Sequence, residues 1–255
     1  MTEPTPPGTS ASLPPSAPEH PHLHPRLVPW RHAFAWYQDA MELFKRSPGA
    51  WMGLAAITLL TELAFQAVPG AFALLREAVT PLVACGLVYA AATTDRGARP
   101  SLLLAIAPFR APVGALVAIV ASALLIFGAE AFAGWWIAGI NLLDPGRSDA
   151  ELTPPAIVGI YAIGILASLP LTFIPFHVLL ERTGVGAAFA ASWNAFALNA
   201  MALLAYGALS LVLLGLSLLT MGVGLVLALP LWAASSYAAW KDIFGVRDVP
   251  AAEQS

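Results

Sequence analysis

The sequence predicts an all-α fold: a polytopic membrane bundle of six transmembrane helices in three pseudo-repeats, each preceded by an interfacial helix. Three observations predict it. Residues 183–240 contain no Asp, Glu, Lys or Arg, far more apolar chain than a soluble domain of this size can hide, and about 20 apolar residues suffice for one crossing. The 255-residue chain is 58% hydrophobic and 11% charged, enough for one bundle and too little for a bundle plus a soluble catalytic domain. The few cations also gather on one side of the expected bundle. A net charge of -3, with cations scattered along loops, argues against a nucleic-acid surface, and no nucleic-acid partner is expected. The single Cys85 excludes an internal disulfide and a cysteine-based metal site.

Residues 1–29 hold nine prolines among Ser, Thr, Gly and Ala, cannot bury a core, and are expected to form a disordered cytoplasmic tail. They show no apolar run behind a basic start, so the first spanning helix is expected to direct insertion. Glu19, His20, His22 and His24 are metal-ligand types, but in a solvated linker they are expected to bind none. In the next segment, Trp30, Ala33, Phe34, Tyr37, Met41 and Phe44 recur at three- and four-residue steps, opposite Arg31, Gln38, Asp39, Glu42, Lys45 and Arg46. That pattern is an amphipathic helix lying in the membrane interface, aromatics at headgroup depth and cations toward anionic lipid. Trp30, Phe34, Tyr37 and Phe44 are its expected interface residues, with Phe109, Phe189 and Trp193 in the later repeats.

Residues 30–246 form the six-span domain and 247–255 a short cytoplasmic tail. Charges, Pro and Gly divide the domain into crossings at 49–68, 71–93, 112–142, 155–180, 200–219 and 223–241. Arg26, Arg31, Lys45, Arg46, Arg96, Arg99, Arg110, Arg182, Lys241 and Arg247 fall on the side of both termini; only Arg76 and Arg147 fall on the other. Cytoplasmic loops are enriched in Lys and Arg, so both termini are expected in the cytoplasm.

The lead-ins Phe44-Lys45-Arg46-Ser47-Pro48-Gly49-Ala50 and Phe109-Arg110-Ala111-Pro112-Val113-Gly114-Ala115 match closely. A third, with Phe189, Trp193 and Phe196 ahead of Asn199, matches in type and position. The exits match as well: Pro81-Leu82, Pro170-Leu171 and Pro230-Leu231 each precede a charged end, at Asp95-Arg96, Glu181-Arg182 and Lys241-Asp242. The pattern reads as three copies of interfacial helix, entering span, turn and proline-bent returning span.

Glu62 and Arg76 lie symmetrically about Pro69, which places them opposite each other in the first hairpin, within reach of Glu77. Ionisable groups in spanning helices are costly and mark functional candidates. Glu130, in the third span, has no cation near it in sequence and joins Glu62 and Arg76 as a candidate intramembrane polar site. His177 and Glu181 are one helical turn apart, a spacing for capping rather than a two-ligand metal site. Asn194 and Asn199 are expected to tie the third interfacial helix to the fifth span.

On Asp39-Ala40, Phe44 to Trp51, Leu203-Leu204-Ala205-Tyr206-Gly207 and Pro230 to Gly245, the chain resembles an uncharacterised family of bacterial inner-membrane proteins over residues 30–246. More distantly it is similar to the membrane domain preceding the catalytic domain of some glycerophosphodiester phosphodiesterases, though no catalytic domain is expected to follow here. The resemblance implies fold and inner-membrane location, not activity. No HExxH, GxSxG, phosphate loop or paired in-plane carboxylates supports an enzyme, and no cofactor is expected. The expected role is non-enzymatic, organising membrane lipid, a membrane partner or a homo-oligomer. The alternative is a small-solute or ion transporter using Glu130 and the Glu62/Arg76 pair.

Overall fold

A computed structural model describes residues 23–67, 73–142 and 153–246, and every regular element among them is helical. The outer turn at Pro69, the acidic loop with Asp144, Arg147, Asp149 and Glu151, residues 1–22 and residues 247–255 lie outside the described residues.

Helix α1 (His32–Arg46) ends where Ser47 adopts extended φ and Pro48 opens α2 (Pro48–Gln66) at its first position, the one place in a helix where a missing N–H costs nothing. Helices α3 (Ala73–Ala84) and α4 (Gly86–Asp95) stack into one stretch, and Cys85 N–H still reaches the Pro81 carbonyl at 3.0 Å. Two 3-10 turns (Leu102–Ala105 and Ala107–Arg110) lead into α5 (Val113–Ala138). Helix α6 (Pro154–Ser168), a 3-10 turn (Leu169–Leu171) and α7 (Ile174–Leu179) return; α8 (Val185–Leu198), α9 (Ala200–Leu219) and α10 (Leu225–Phe244) complete the chain. Among the described residues the helices pack as three hairpin pairs, α2 with α3–α4, α5 with α6–α7, and α9 with α10.

Among the described residues, four stretches are long and apolar enough to cross a membrane: Pro48–Gln66, Leu75–Asp95, Val113–Ala138 and Ala200–Leu219. The other two expected crossings depart from the sequence reading. The segment 155–180 is not one helix, because Pro170 and Pro175 each remove a backbone donor within six residues. At the break, Ser192 of α8 donates to the Pro170 carbonyl (2.8 Å) and accepts from Phe173 N–H (3.2 Å), meeting two of the freed groups. Helix α10 is continuous through Pro230 but carries Ser235, Ser236, Tyr237, Lys241 and Asp242, too polar a set to qualify by apolarity. It packs against α1, α2, α4 and α9, and a helix shielded by its neighbours does not need an apolar perimeter.

The second lead-in is likewise not an α-helix. Prolines at 100, 108 and 112 leave room only for 3-10 turns. Helix α1 is amphipathic but rotated from expectation: Ala33, Trp36, Ala40 and Leu43 face the bundle, where the two alanines allow α10 to approach closely. The last residues of the expected tail, 23–29, are also laid against the bundle, with Val28 buried.

Fully buried Trp36, Trp51, Trp240, Tyr237, Phe173, Phe176 and His177 fill the half of the bundle nearest α1. Trp240 stacks on Phe176 with ring centroids 5.6 Å apart, and Phe244 meets Phe173 edge-on at 5.6 Å. Such aromatic pairs add to close packing, which drives helix association where lipid tails are as apolar as the side chains themselves.

Candidate functional site

The bundle has two chemically distinct ends. At the end reached by the C-termini of α2 and α5, Arg76 of α3 holds Glu77 through Nη2 (2.6 Å) and Nε (3.0 Å), and Glu62 of α2 through Nη1 (3.5 Å). Gln66 donates to the same Glu62 oxygen at 3.1 Å. Glu130 of α5 lies within electrostatic range of both Arg76 and Glu77, and Tyr161 of α6 within range of Arg76. The structure therefore brings all three sequence-expected polar residues into one neighbourhood, with Glu77 paired to Arg76 as the hairpin reading expected, and adds Tyr161. Two carboxylates, Glu62 and Glu77, pair with the Arg76 guanidinium there, and the third, Glu130, stands close by.

Glu130 fits because Gly164 of α6 faces it. A Cβ at Gly164 would overlap Glu130 Oε1 and stand 2.8 Å from Cγ and Cδ. Replacing Gly164 by Ala gains about 1 kcal/mol of helix propensity but displaces the carboxylate, an overpacking that costs about 1–3 kcal/mol. The expected net loss is about 1 kcal/mol. In a double-mutant cycle measured by thermal unfolding in detergent, adding Glu130→Ala should turn Gly164→Ala from destabilising to stabilising. Additive effects would show that the two groups do not meet.

The opposite end is basic and held together by a latch. Asp242, near the end of α10, accepts hydrogen bonds from Arg26 Nη2 (2.6 Å), His32 Nδ1 (2.6 Å) and buried Trp36 Nε1 (3.0 Å). Arg26 also donates through Nε to the Asp242 carbonyl (2.6 Å) and through its backbone N–H to the Ile243 carbonyl (2.8 Å). Asn199, buried between α8 and α9, accepts from Val28 N–H (2.8 Å) and donates to the Arg26 carbonyl (3.0 Å). Asn199 thus ties down the segment 23–29, not only the junction between α8 and α9. Gly245 caps α10 at φ 67°, a left-handed conformation natural to glycine, and so fixes the turn beside the latch.

Burial opposes ionisation of Asp242, but the hydrogen bonds from His32, Trp36 and Arg26 outweigh it and hold the carboxyl below its usual range. Nearby, Lys241 and Tyr237 both reach Asp95 of α4, at 2.5 and 2.9 Å. His177 Nδ1 and Glu181 Oε2 pair at 2.7 Å, with the imidazole ring edge-on to Phe244. Asn194, by contrast, is exposed.

The expected interface residues divide between surface and interior. Trp30 and Phe34 are exposed and meet edge-on, with Arg31 over the Trp30 ring; Phe109 and Trp193 are exposed too. Tyr37 instead stacks on Tyr206 and bonds Ser210 at 2.8 Å, Phe44 packs on the main core, and Phe189 packs on the smaller core around Ile119 and Ile174. Among the described residues, no three His, Cys, Asp or Glu side chains gather as metal ligands.

Helices long and apolar enough to cross a membrane define the class of a helical membrane protein. No protein-family model, curated protein or solved structure matches the chain.

Proposed function

We propose that the chain is a non-enzymatic integral membrane protein that organises lipid or a membrane partner at its basic end. In this reading it makes six crossings of the bacterial inner membrane in three pseudo-repeats, with both termini cytoplasmic. The three hairpins support six crossings, and the charge placement supports the orientation. The observation that carries the function is the filling of the bundle. Behind the polar cluster, Trp36, Trp51, Trp240, Tyr237, Phe173 and Phe176 close the interior on the basic side, while exposed Trp30, Phe34, Phe109 and Trp193 crown that same side. Aromatic and basic side chains together suit the headgroup region.

A second reading, transport of a small solute or ion, draws on the convergence of Glu62, Arg76 and Glu130. Native mass spectrometry of protein purified in native lipid separates the two. Lipid or a protein partner is expected to co-purify equally with wild type and Glu130→Gln. A bound small solute that is lost in Glu130→Gln would replace the organiser with the transporter.

A further inference from the structure

We propose that residues 99–110 form an in-plane wedge seated in an anionic lipid leaflet, with Leu102, Leu103, Ile106 and Phe109 among the upper acyl chains and Arg99 and Arg110 on lipid phosphates. The inference rests on the membrane-organising reading and names its lipid class.

The wedge is built for an apolar layer. Leu103 N–H bonds Ser101 Oγ (3.2 Å), Leu104 N–H bonds the Ser101 carbonyl (3.1 Å), and Ile106 and Phe109 donate to Leu103 and Ile106 at 3.1 and 3.3 Å. Pro100, Pro108 and Pro112 have no N–H to satisfy. Backbone donors met within the segment are what low-dielectric surroundings demand.

Its two faces differ. Ala105 and Pro108 are buried and Leu104 packs on the core, while Leu102, Ile106 and Phe109 are exposed and Leu103 is 72% exposed. Contiguous bare apolar side chains of this size mark a contact surface.

Depth selects lipid as the occupant. A Cβ on Gly86 would stand 2.7 Å from the Leu104 carbonyl oxygen and 2.8 Å from Ala105 Cα, so the wedge backbone lies directly on α4. Gly86 opens α4, about 13 Å along the axis from Asp95 at 1.5 Å per residue. Leu102 rests on Gly53, about 8 Å inside the start of α2. The wedge therefore lies alongside the spanning helices, near the depth at which in-plane amphipathic segments bury, roughly 5–10 Å.

Charge selects the headgroup. Arg99 and Arg110 flank the apolar residues, are exposed, and form no ion pair among the described residues. The acids close by in the fold are occupied, Asp95 by Lys241 and Tyr237 and Asp242 by Arg26 and His32. The two exposed guanidinium groups are open to an anion, and lipid phosphate supplies one at this depth.

The test places an environment-sensitive fluorophore on Leu103→Cys in the full-length protein; Cys85 is buried and stays unlabelled. Val212→Cys, on the bare face of α9, is the reference. The protein is reconstituted in nanodiscs of phosphatidylglycerol and phosphatidylcholine, with bromine on the upper acyl chain of one lipid at a time. The Leu103 label should be quenched by brominated lipid and shielded from aqueous iodide, more strongly when phosphatidylglycerol carries the bromine. Arg99→Gln with Arg110→Gln should weaken that preference about thirty-fold. A Leu103 label open to iodide, or shielded from both quenchers as under a protein partner, overturns the wedge while a quenched Val212 label leaves the membrane reading intact. Equal quenching by both lipids overturns the anionic assignment. Failure of both labels to sense bromine overturns the membrane reading itself.

Discussion

Replacing Asp242 by alanine is expected to destabilise the folded protein by about 3 kcal/mol. The carboxylate is the common acceptor for Arg26, His32 and Trp36. Arg26 is 61% exposed on its side chain, so its ion pair with Asp242 contributes little. The larger part of the loss comes from Trp36, whose ring N–H is buried and would keep no acceptor, at about 1–3 kcal/mol. Asp242→Asn retains an oxygen for Trp36 and should lose about 1 kcal/mol. Both variants should expose residues 23–29 to proteolysis before the bundle unfolds. Because the folded carboxyl titrates below its ordinary value, its contribution is complete above about pH 4 and is lost as pH falls through the folded value. Unfolding curves of wild type and Asp242→Asn should therefore converge on acidification. A constant gap down to low pH would show that the carboxylate charge contributes nothing.

Gly86→Ala is expected to cost about 2–3 kcal/mol despite the gain in helix propensity. The added methyl would meet backbone atoms, the Leu104 carbonyl oxygen at 2.7 Å, Ala105 Cα at 2.8 Å and Ala105 N at 3.0 Å. Backbone cannot swing aside as a side-chain tip can. Gly128→Ala is the matched control: it sits inside α5 with nothing within 4 Å of the added carbon, and should stabilise by up to about 1 kcal/mol. Thermal unfolding in detergent of both variants reads the difference. A neutral Gly86→Ala would mean that the 3-10 segment is not seated on α4, and the wedge would lose its depth argument with it.

The apolar blocks were legible in the sequence because their limits are set by charges and prolines, which act locally. The Glu62–Arg76 pair was legible for the same reason, since the two residues lie at equal offsets from Pro69 in the sequence. Glu130 was recognisable as an unusual residue, but its company was not: only the packing of α5 against α3 and α6 brings it near Arg76 and over Gly164. The latch was hidden by composition. Arg26 and Val28 sit in a proline-rich stretch that cannot form its own core, yet they find partners at Asp242 and Asn199, more than 170 residues away. No local pattern encodes that contact. Helix α10 shows the converse limit, since hydropathy measures what a helix can expose to lipid and α10 is enclosed by other helices. The second lead-in matches the first in residue types, but the spacing of Pro100, Pro108 and Pro112 holds it to 3-10 turns.

On the proposed reading, the chain crosses the membrane repeatedly with its basic, aromatic end on the cytoplasmic side. Single cysteines at Met221, 96% exposed in the turn between α9 and α10, and at Lys45, exposed at the end of α1, test it directly with a membrane-impermeant maleimide on intact cells. The account predicts that Met221→Cys is labelled at once and Lys45→Cys only after permeabilisation. Labelling of both from outside, or of Lys45→Cys alone, would contradict it.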